Sequence, residues 1–312
     1  MRNGEKWEPR VPFKDNRNWH KYNEELTVMG EFLLDLDWVK SWDEELERMN
    51  EKKRGHPFEF PESLIQLQAV WNQWIGLRQV EGITRKLVEL ARLPDFDDYS
   101  TVNRRIRKLD TSIELPKRGF VSVSTDGTGM KMHHAGEYRQ EKYGSKKRRW
   151  IRVVISANPL TKELLFADAD LDGEGDSEPN IATTHLNELW SRNYTVDKFW
   201  GDGAFDVIDL FNILEEHGTE SAIPIRKNAA KNSHGSMRRL VETFEFQTKS
   251  WNDWTLEKSY GLRWLGTECI HSAVKGIFGE HTKAKTPKNA CKEAKRKYWA
   301  YSRMKNYARS TS

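Results

Sequence analysis

Phe120-Val121-Ser122-Val123-Ser124-Thr125-Asp126-Gly127-Thr128-Gly129 is the stretch on which the fold turns. Apolar Val121 and Val123 alternate with Ser122 and Ser124, the two-residue period of a half-buried strand, so Phe120 to Thr125 is expected to be a strand that ends by delivering Asp126. A turn is the competing reading of Asp126-Gly127, because Asp-Gly is a common turn dipeptide. Downstream, Trp150 to Ala157 and Leu164 to Ala167 read as two further strands joined by an Asn158-Pro159 turn. Ser177 or Pro179 opens a helix through Trp190, and a short strand at about Val196 to Trp200 leads to Asp202. Val207, Leu210, Phe211 and Leu214 then form a helical stripe stopped by Gly218, and Ala222-Ile223-Pro224-Ile225 reads as a strand. Strands alternating with helices predict an α/β domain around a mixed sheet.

Upstream the pattern is helical, and Thr111-Ser112 with Pro116-Lys117-Arg118-Gly119 interrupts it. The expected division is therefore a helical region at 1–112 and an α/β domain at 117–312 that ends in a basic helix. Ser63 is expected to cap a helix with Leu64, Leu67, Trp71, Trp74 and Ile75 on one face, and a second helix shows Ile83, Leu87, Leu90 and Ala91. After Pro94, Ser100 is expected to cap a third, with Val102, Ile106 and Leu109 inward. That leaves Asn103, Arg104, Arg105, Arg107 and Lys108 outward, the make-up of a recognition helix entering a DNA groove. The segment 80–110 is thus helix-turn-helix-like, although its turn of about seven residues exceeds the usual three or four. A helical bundle with a solvated basic face is the alternative.

Three acids stand in settings suited to metal-dependent phosphoryl transfer: Asp126, Asp202 within Trp200-Gly201-Asp202-Gly203-Ala204-Phe205-Asp206, and Glu268 after Tyr260-Gly261-Leu262-Arg263-Trp264. Two Asp at strand ends and a Glu on a late helix can converge to hold two Mg2+ ions, which activate an attacking oxygen and stabilise a leaving one. Each acid has a plainer rival. Asp206 directly precedes an apolar helical stripe and is read as the N-cap of the Val207 helix, which leaves Asp202 as the ligand. The run Asp168, Asp170, Asp172, Glu174, Asp176 begins like a calcium loop, but Pro179 occupies its twelfth position where a bidentate Glu belongs, so it is read as a solvated loop. Glu268 falls opposite the stripe of Ile270, Ala273, Val274, Ile277 and Phe278, where its plain role is a first-turn acid favoured by the helix dipole. It reaches the other two acids only if its helix presents its start to the strand ends. Lys275 lies two turns later on nearly the same side, suited to a phosphate contact.

Taken in order, these stretches resemble the DDE transposases of bacterial and archaeal insertion sequences, most like insertion-sequence family five, over nearly the whole chain. Asp126 and Asp202 resemble the first and second family carboxylates and Glu268 the third, with Tyr260, Arg263 and Lys275 in the other signature positions around it. One spacing departs: four residues separate Arg263 from Glu268 where the common pattern has three, which marks a variant subgroup or displaces the Arg by one position. The resemblance implies an RNase H-like core in which Asp126, Asp202 and Glu268 bind two Mg2+ or Mn2+ ions while Tyr260, Arg263 and Lys275 orient DNA phosphates. It further implies cleavage of element ends and strand transfer into target DNA, terminal inverted repeats found by the N-terminal region, and a homodimer on paired ends. A non-catalytic DNA-binding regulator derived from a transposase, and an RNase H-like nuclease that cuts without joining, are the alternatives.

The charge pattern agrees with a DNA partner. The net charge is only +4 over 312 residues, yet residues 117–152 carry ten Lys and Arg against three acids, and residues 283–309 carry ten against one. Basicity concentrated in this way is the electrostatic footprint of a polyanion partner. Lys146, Lys147, Arg148 and Arg149 fall between the first two strands, close in sequence to Asp126, where a loop would hold a phosphate backbone. No apolar run approaches the roughly 20 residues that span a bilayer, so the expected setting is cytoplasmic and nucleoid-associated with no membrane partner. Cys269 and Cys291 are expected to be reduced, and no Walker A pattern implies ATP.

Overall fold

A computed structural model describes residues 18–117, 119–133, 150–226, 229 and 235–311. Five strands form one sheet: β1 Phe120–Lys131, β2 Trp150–Asn158, β3 Glu163–Leu171, β4 Thr195–Trp200 and β5 Glu220–Ala222, in the order β3-β2-β1-β4-β5. β1, β2 and β3 are an antiparallel meander, whereas β4 runs parallel to β1 and β5 parallel to β4. The connections to β4 and β5 are therefore crossovers through helices, α6 Glu178–Ser191 and α7 Ile208–Glu216. Mixed pairing in this order is the RNase H-like arrangement.

Alternation along β1 divides its side chains between two cores. Val121 and Val123 pack with Ala182, Leu186 and Leu189 of α6 and with Leu210, Phe211 and Leu214 of α7. On the opposite face Met130 joins Ile151, Val153 and Ile155 of β2 and two late helices, α10 Cys269–Phe278 and α11 Pro287–Thr311. Of the N-terminal helices, α2 Trp42–Asn50 packs through Trp42 with Phe60, Leu64 and Leu93, while α1 Trp19–Glu31, α3 Glu62–Trp71, α4 Leu77–Glu89 and α5 Tyr99–Ile106 lie on that second side. Ile65 and Val70 of α3, Val80 of α4 and Val102 and Ile106 of α5 share its apolar cluster with the sheet and α11. Two further helices, α8 Met237–Thr248 and α9 Trp251–Glu257, precede α10.

Several expectations are corrected. β1 does not end at Asp126: it continues to Lys131 and stays paired with β2 there, so the turn reading falls. What ends is its parallel neighbour, because pairing with β4 stops at Ser124↔Trp200. Asp126 and Gly127 therefore stand on a strand supported along one edge only. β3 likewise runs on to Leu171, placing Asp168 and Asp170 in the strand rather than in a loop. β5 is Glu220–Ala222 and Ile223 to Ile225 lie beyond it, since Pro224 has no N–H to give a ladder.

The helix caps also differ. Pro61 is the N-cap of α3, and the Ser63 N–H donates to the Glu45 carboxylate at 3.0 Å. Asp98, not Ser100, caps α5, accepting from the Ser100 and Thr101 N–H groups at 2.7 and 3.2 Å; hydrogen bonds from these two residues hold its carboxyl down at about 2. In α4 the inward residues are Val80, Thr84 and the partly buried Leu87, while Leu90 is 58% exposed. Thr84 hides that stripe because it reads as polar, yet its hydroxyl bonds back to the Glu81 carbonyl at 3.0 Å and can be buried.

Candidate active site at the open edge of the central strand

Asp126 points to the α10 side of β1. Its Oδ2 lies 3.4 Å from the Arg263 guanidinium, and the Glu268 carboxyl is close enough to share a hydrogen bond with it. Burial pushes the Asp126 carboxyl up to about 7; Arg263 opposes the shift and the Glu268 charge adds to it. Two carboxyls pressed together in this way repel once both ionise, and a cation stronger than one guanidinium would relieve them.

The extra residue between Arg263 and Glu268 is absorbed by the helix itself. Trp264–Glu268 is a π-helical turn, closed by the Cys269 N–H bonding the Trp264 carbonyl five residues back. A π-turn brings residues five apart onto one face, so Arg263 and Glu268 both meet Asp126 despite the added position. Glu268 is thus at the junction of the π-turn and α10, inside a continuous helical segment, and not a first-turn acid. Gly266 makes the close approach possible: a Cβ there would lie 3.1 Å from Pro159 Cα and Ser124 Cβ. Gly266→Val is expected to lift the turn from β1, destabilise the fold by about 1–3 kcal/mol and reduce cleavage by about 100-fold. Urea unfolding and an end-cleavage assay would check it, and unchanged values in both would refute the packing argument.

Other signature residues gather here too. Arg263 lies against the rings of Tyr260 and Trp264, 5.6 and 5.7 Å from their centroids, and its buried Nε has no hydrogen-bond partner among the described residues. The Tyr260 hydroxyl donates to the Gly201 carbonyl at 3.3 Å, tying this segment beside Asp202. Burial raises the Tyr260 hydroxyl above its ordinary value, with the Asp202 and Asp126 charges adding to the effect. Lys275 reaches across to donate to Thr128 Oγ1 at 2.8 Å. Asp202 follows the end of β4, and one of its oxygens accepts the Ala204 N–H at 2.7 Å.

Asp206 is not the N-cap of α7. It is buried and accepts from Arg239 through Nε at 2.6 Å and Nη2 at 3.0 Å, and from the Arg226 N–H at 3.0 Å, whereas Val207 is the N-cap of α7.

The basic residues expected to meet DNA divide in the structure. Arg104 and Lys108 are not buried and line a cleft of about 520 Å3 with Lys53 and Phe58. Arg105 turns inward, contrary to expectation, because its guanidinium bonds the Phe60 carbonyl at 3.1 Å and Glu62 at 2.7 Å and covers the Phe58 ring. Arg107 is exposed beside a second cleft that also holds Lys283 and Arg296. Lys146, Lys147, Arg148 and Arg149 lie outside the described residues.

Sequence reasoning misses a buried polar chain next to the site. Thr125 Oγ1 meets Ser156 Oγ at 2.7 Å, Ser156 Oγ meets His185 Nδ1 at 2.8 Å, and His185 Nε2 meets Asp168 at 2.7 Å. The His185 hydrogen bond holds the Asp168 carboxyl well below the usual range, and Lys295 also bonds it at 3.0 Å. Ser156 is fully buried, so this chain braces β1 beside Asp126 and offers no nucleophile. Glu178, the first residue of α6, leans its carboxylate against Gly127, where a Cβ would collide with it.

Oxygen-only donors suit a hard divalent cation, and the close Asp126 and Glu268 pair, only partly offset by Arg263, is the observation that such a group fits. As the side chains stand, no three Asp, Glu, His or Cys among the described residues converge tightly enough to grip one ion.

Comparison with known proteins gives two family matches, each described as a Transposase DDE domain: one spans residues 120–302, beginning with the first residue of β1, and the other spans residues 29–135. Two solved structures are similar to much of the chain. One is the cryo-EM structure of the piggyBac transposase synaptic complex with hairpin DNA, at 11% identity and TM-score 0.28, covering 92% of this chain and 81% of that one. The other is the crystal structure of the Mos1 strand transfer complex, at 11% identity and TM-score 0.25, covering 71% of this chain and 80% of that one. No described helix is long and apolar enough to cross a membrane.

Proposed function

The chain belongs to the DDE transposases and is a DNA transposase, and from that premise we propose that it serves a prokaryotic insertion sequence, cutting the element's ends and joining them to target DNA. Asp126, Asp202 and Glu268 are the catalytic carboxylates and hold two Mg2+ or Mn2+ ions. The observation that carries this reading is the convergence of Asp126, Glu268 and Arg263 at the open edge of β1, from positions far apart in the chain. Ions held there would supply activation of the attacking oxygen and stabilisation of the leaving one.

The chain's own groups do the rest. Arg263, held against two rings, and Lys275, now on Thr128, can exchange these partners for DNA phosphates, and Tyr260 fixes the Arg263 turn against Gly201. Arg104, Arg107 and Lys108 of the N-terminal region meet the terminal inverted repeats, Lys146 to Arg149 the backbone near the site, and a homodimer pairs two ends.

The test is incubation of purified protein with a labelled duplex element end, Mg2+ and a supercoiled plasmid. Joined products are expected. Cleavage without joining would replace the proposal with a nuclease, and binding alone would replace it with a regulator.

A further inference from the structure

We propose that the cleft between the N-terminal helices and the start of α11 is a second DNA contact, a site for one backbone phosphate held by Arg296, Arg107 and Lys285. The inference rests on the DNA reading above and deepens it, because it brings the C-terminal helix into a contact so far assigned to the N-terminal region. Arg296 is the residue that points to a ligand. Only 7% exposed, it lines this cleft of about 380 Å3, and its guanidinium forms no hydrogen bond or salt bridge among the described residues. A buried charge without a counter-charge is costly, and an anion entering the cleft supplies one. The cleft shares no lining residue with the catalytic site.

The neighbouring charges do not satisfy Arg296. Glu293 is the only acid among the described residues that line the cleft, and its two oxygens accept the Lys283 and Ala284 N–H groups at 2.7 and 2.8 Å. Its charge only opposes the effect of burial, which lowers the Arg296 guanidinium from its ordinary value. Lys283 is engaged as well: its Nζ donates to the Asn72 and Gln73 carbonyls at 3.0 Å and to the Ile75 carbonyl at 3.4 Å, which fastens the segment before α11 to the end of α3. Arg107, directly after α5, and Lys285 are exposed and, like Arg296, have no side-chain partner among the described residues. α11 opens on the same space through Thr286, whose carbonyl accepts the Ala290 N–H at 2.9 Å, and Asn289, so the positive end of a 25-residue helix adds to the potential. A DNA phosphate is favoured over a free one because the basic charge continues along residues 283–309, ten Lys and Arg against one acid, a run that a polyanion uses and a small anion does not.

The test is fluorescence anisotropy of a labelled duplex element end with the full chain in chelator, over a salt series. Wild type is compared with Arg296→Met, Lys285→Ala and, as a control, Lys288→Ala, an exposed residue of α11 that does not line the cleft. Arg296→Met and Lys285→Ala are each expected to weaken binding by about tenfold and to reduce the salt slope by about 1, while Lys288→Ala stays within about twofold of wild type. Arg296→Met removes an unpaired buried charge, so it should also raise the Tm of the DNA-free protein, which loss of a merely structural arginine would not do. Equal losses in all three variants would show diffuse attraction and overturn the site. Wild-type affinity in both cleft variants overturns it too, and joining of ends by those variants would then leave the proposed function standing. If inorganic phosphate raises the Tm of wild type but not of Arg296→Met, and DNA affinity is unchanged, the site takes a free anion and the DNA assignment is wrong. A folded wild type that binds no element end overturns both readings. Should Arg296→Met fail to fold, Lys285→Ala and its control decide.

Discussion

Asp126→Asn is expected to lower end cleavage by about 1,000-fold or more while leaving binding of element ends within a few-fold. The amide keeps the size of the side chain but removes the charge on which the Asp126 and Glu268 pair depends. The same substitution should stabilise the metal-free protein, with a pH dependence whose sign is fixed. Burial raises the folded-state value from 3.8 to about 7, so the folded chain binds this proton more tightly than the unfolded chain. The penalty for ionising Asp126 is therefore absent below about pH 4, grows between 4 and 7, and is complete above 7. Thermal unfolding in chelator should show the Asn variant level with wild type near pH 4 and more stable by on the order of 2 kcal/mol at pH 8. Retained cleavage would remove Asp126 from the reaction, and an advantage that shrank as pH rose would contradict the burial argument.

Asp206→Ala should destabilise the fold by about 3–5 kcal/mol, because it removes the buried carboxylate that the Arg239 guanidinium binds through two nitrogens. Loss of an exposed N-cap would cost only about 1 kcal/mol. Urea denaturation separates the two, and the smaller value would restore the cap reading. The same Asp206 carboxylate also receives the Arg226 N–H, so the effect extends to the segment after β5.

Much of the sheet is legible in the sequence because alternation and helical stripes are local patterns. β1, β2, β4 and α6 begin within a residue or so of where periodicity and turn residues put them. Errors arise where a distant partner overrides a local preference. Asp206 reads as a cap because Arg239, its actual partner, lies far down the chain. Arg105 reads as solvent-facing because the helix wheel shows one helix and not Phe60 and Glu62 beside it. Asp126 reads as a strand end because nothing near it in sequence tells which neighbouring strand stops first.

The amino-acid order by itself singled out Asp126, Asp202 and Glu268 as candidates for the chemistry, and it marked the extra residue before Glu268. Only the tertiary structure decided how that residue is accommodated, through a π-turn that keeps Arg263 and Glu268 on one face, and only it revealed Glu178 against Gly127. The physical reason is that periodicity records which way a side chain faces along its own element, whereas a site depends on where separate elements end against one another, and that is set by packing across the sheet.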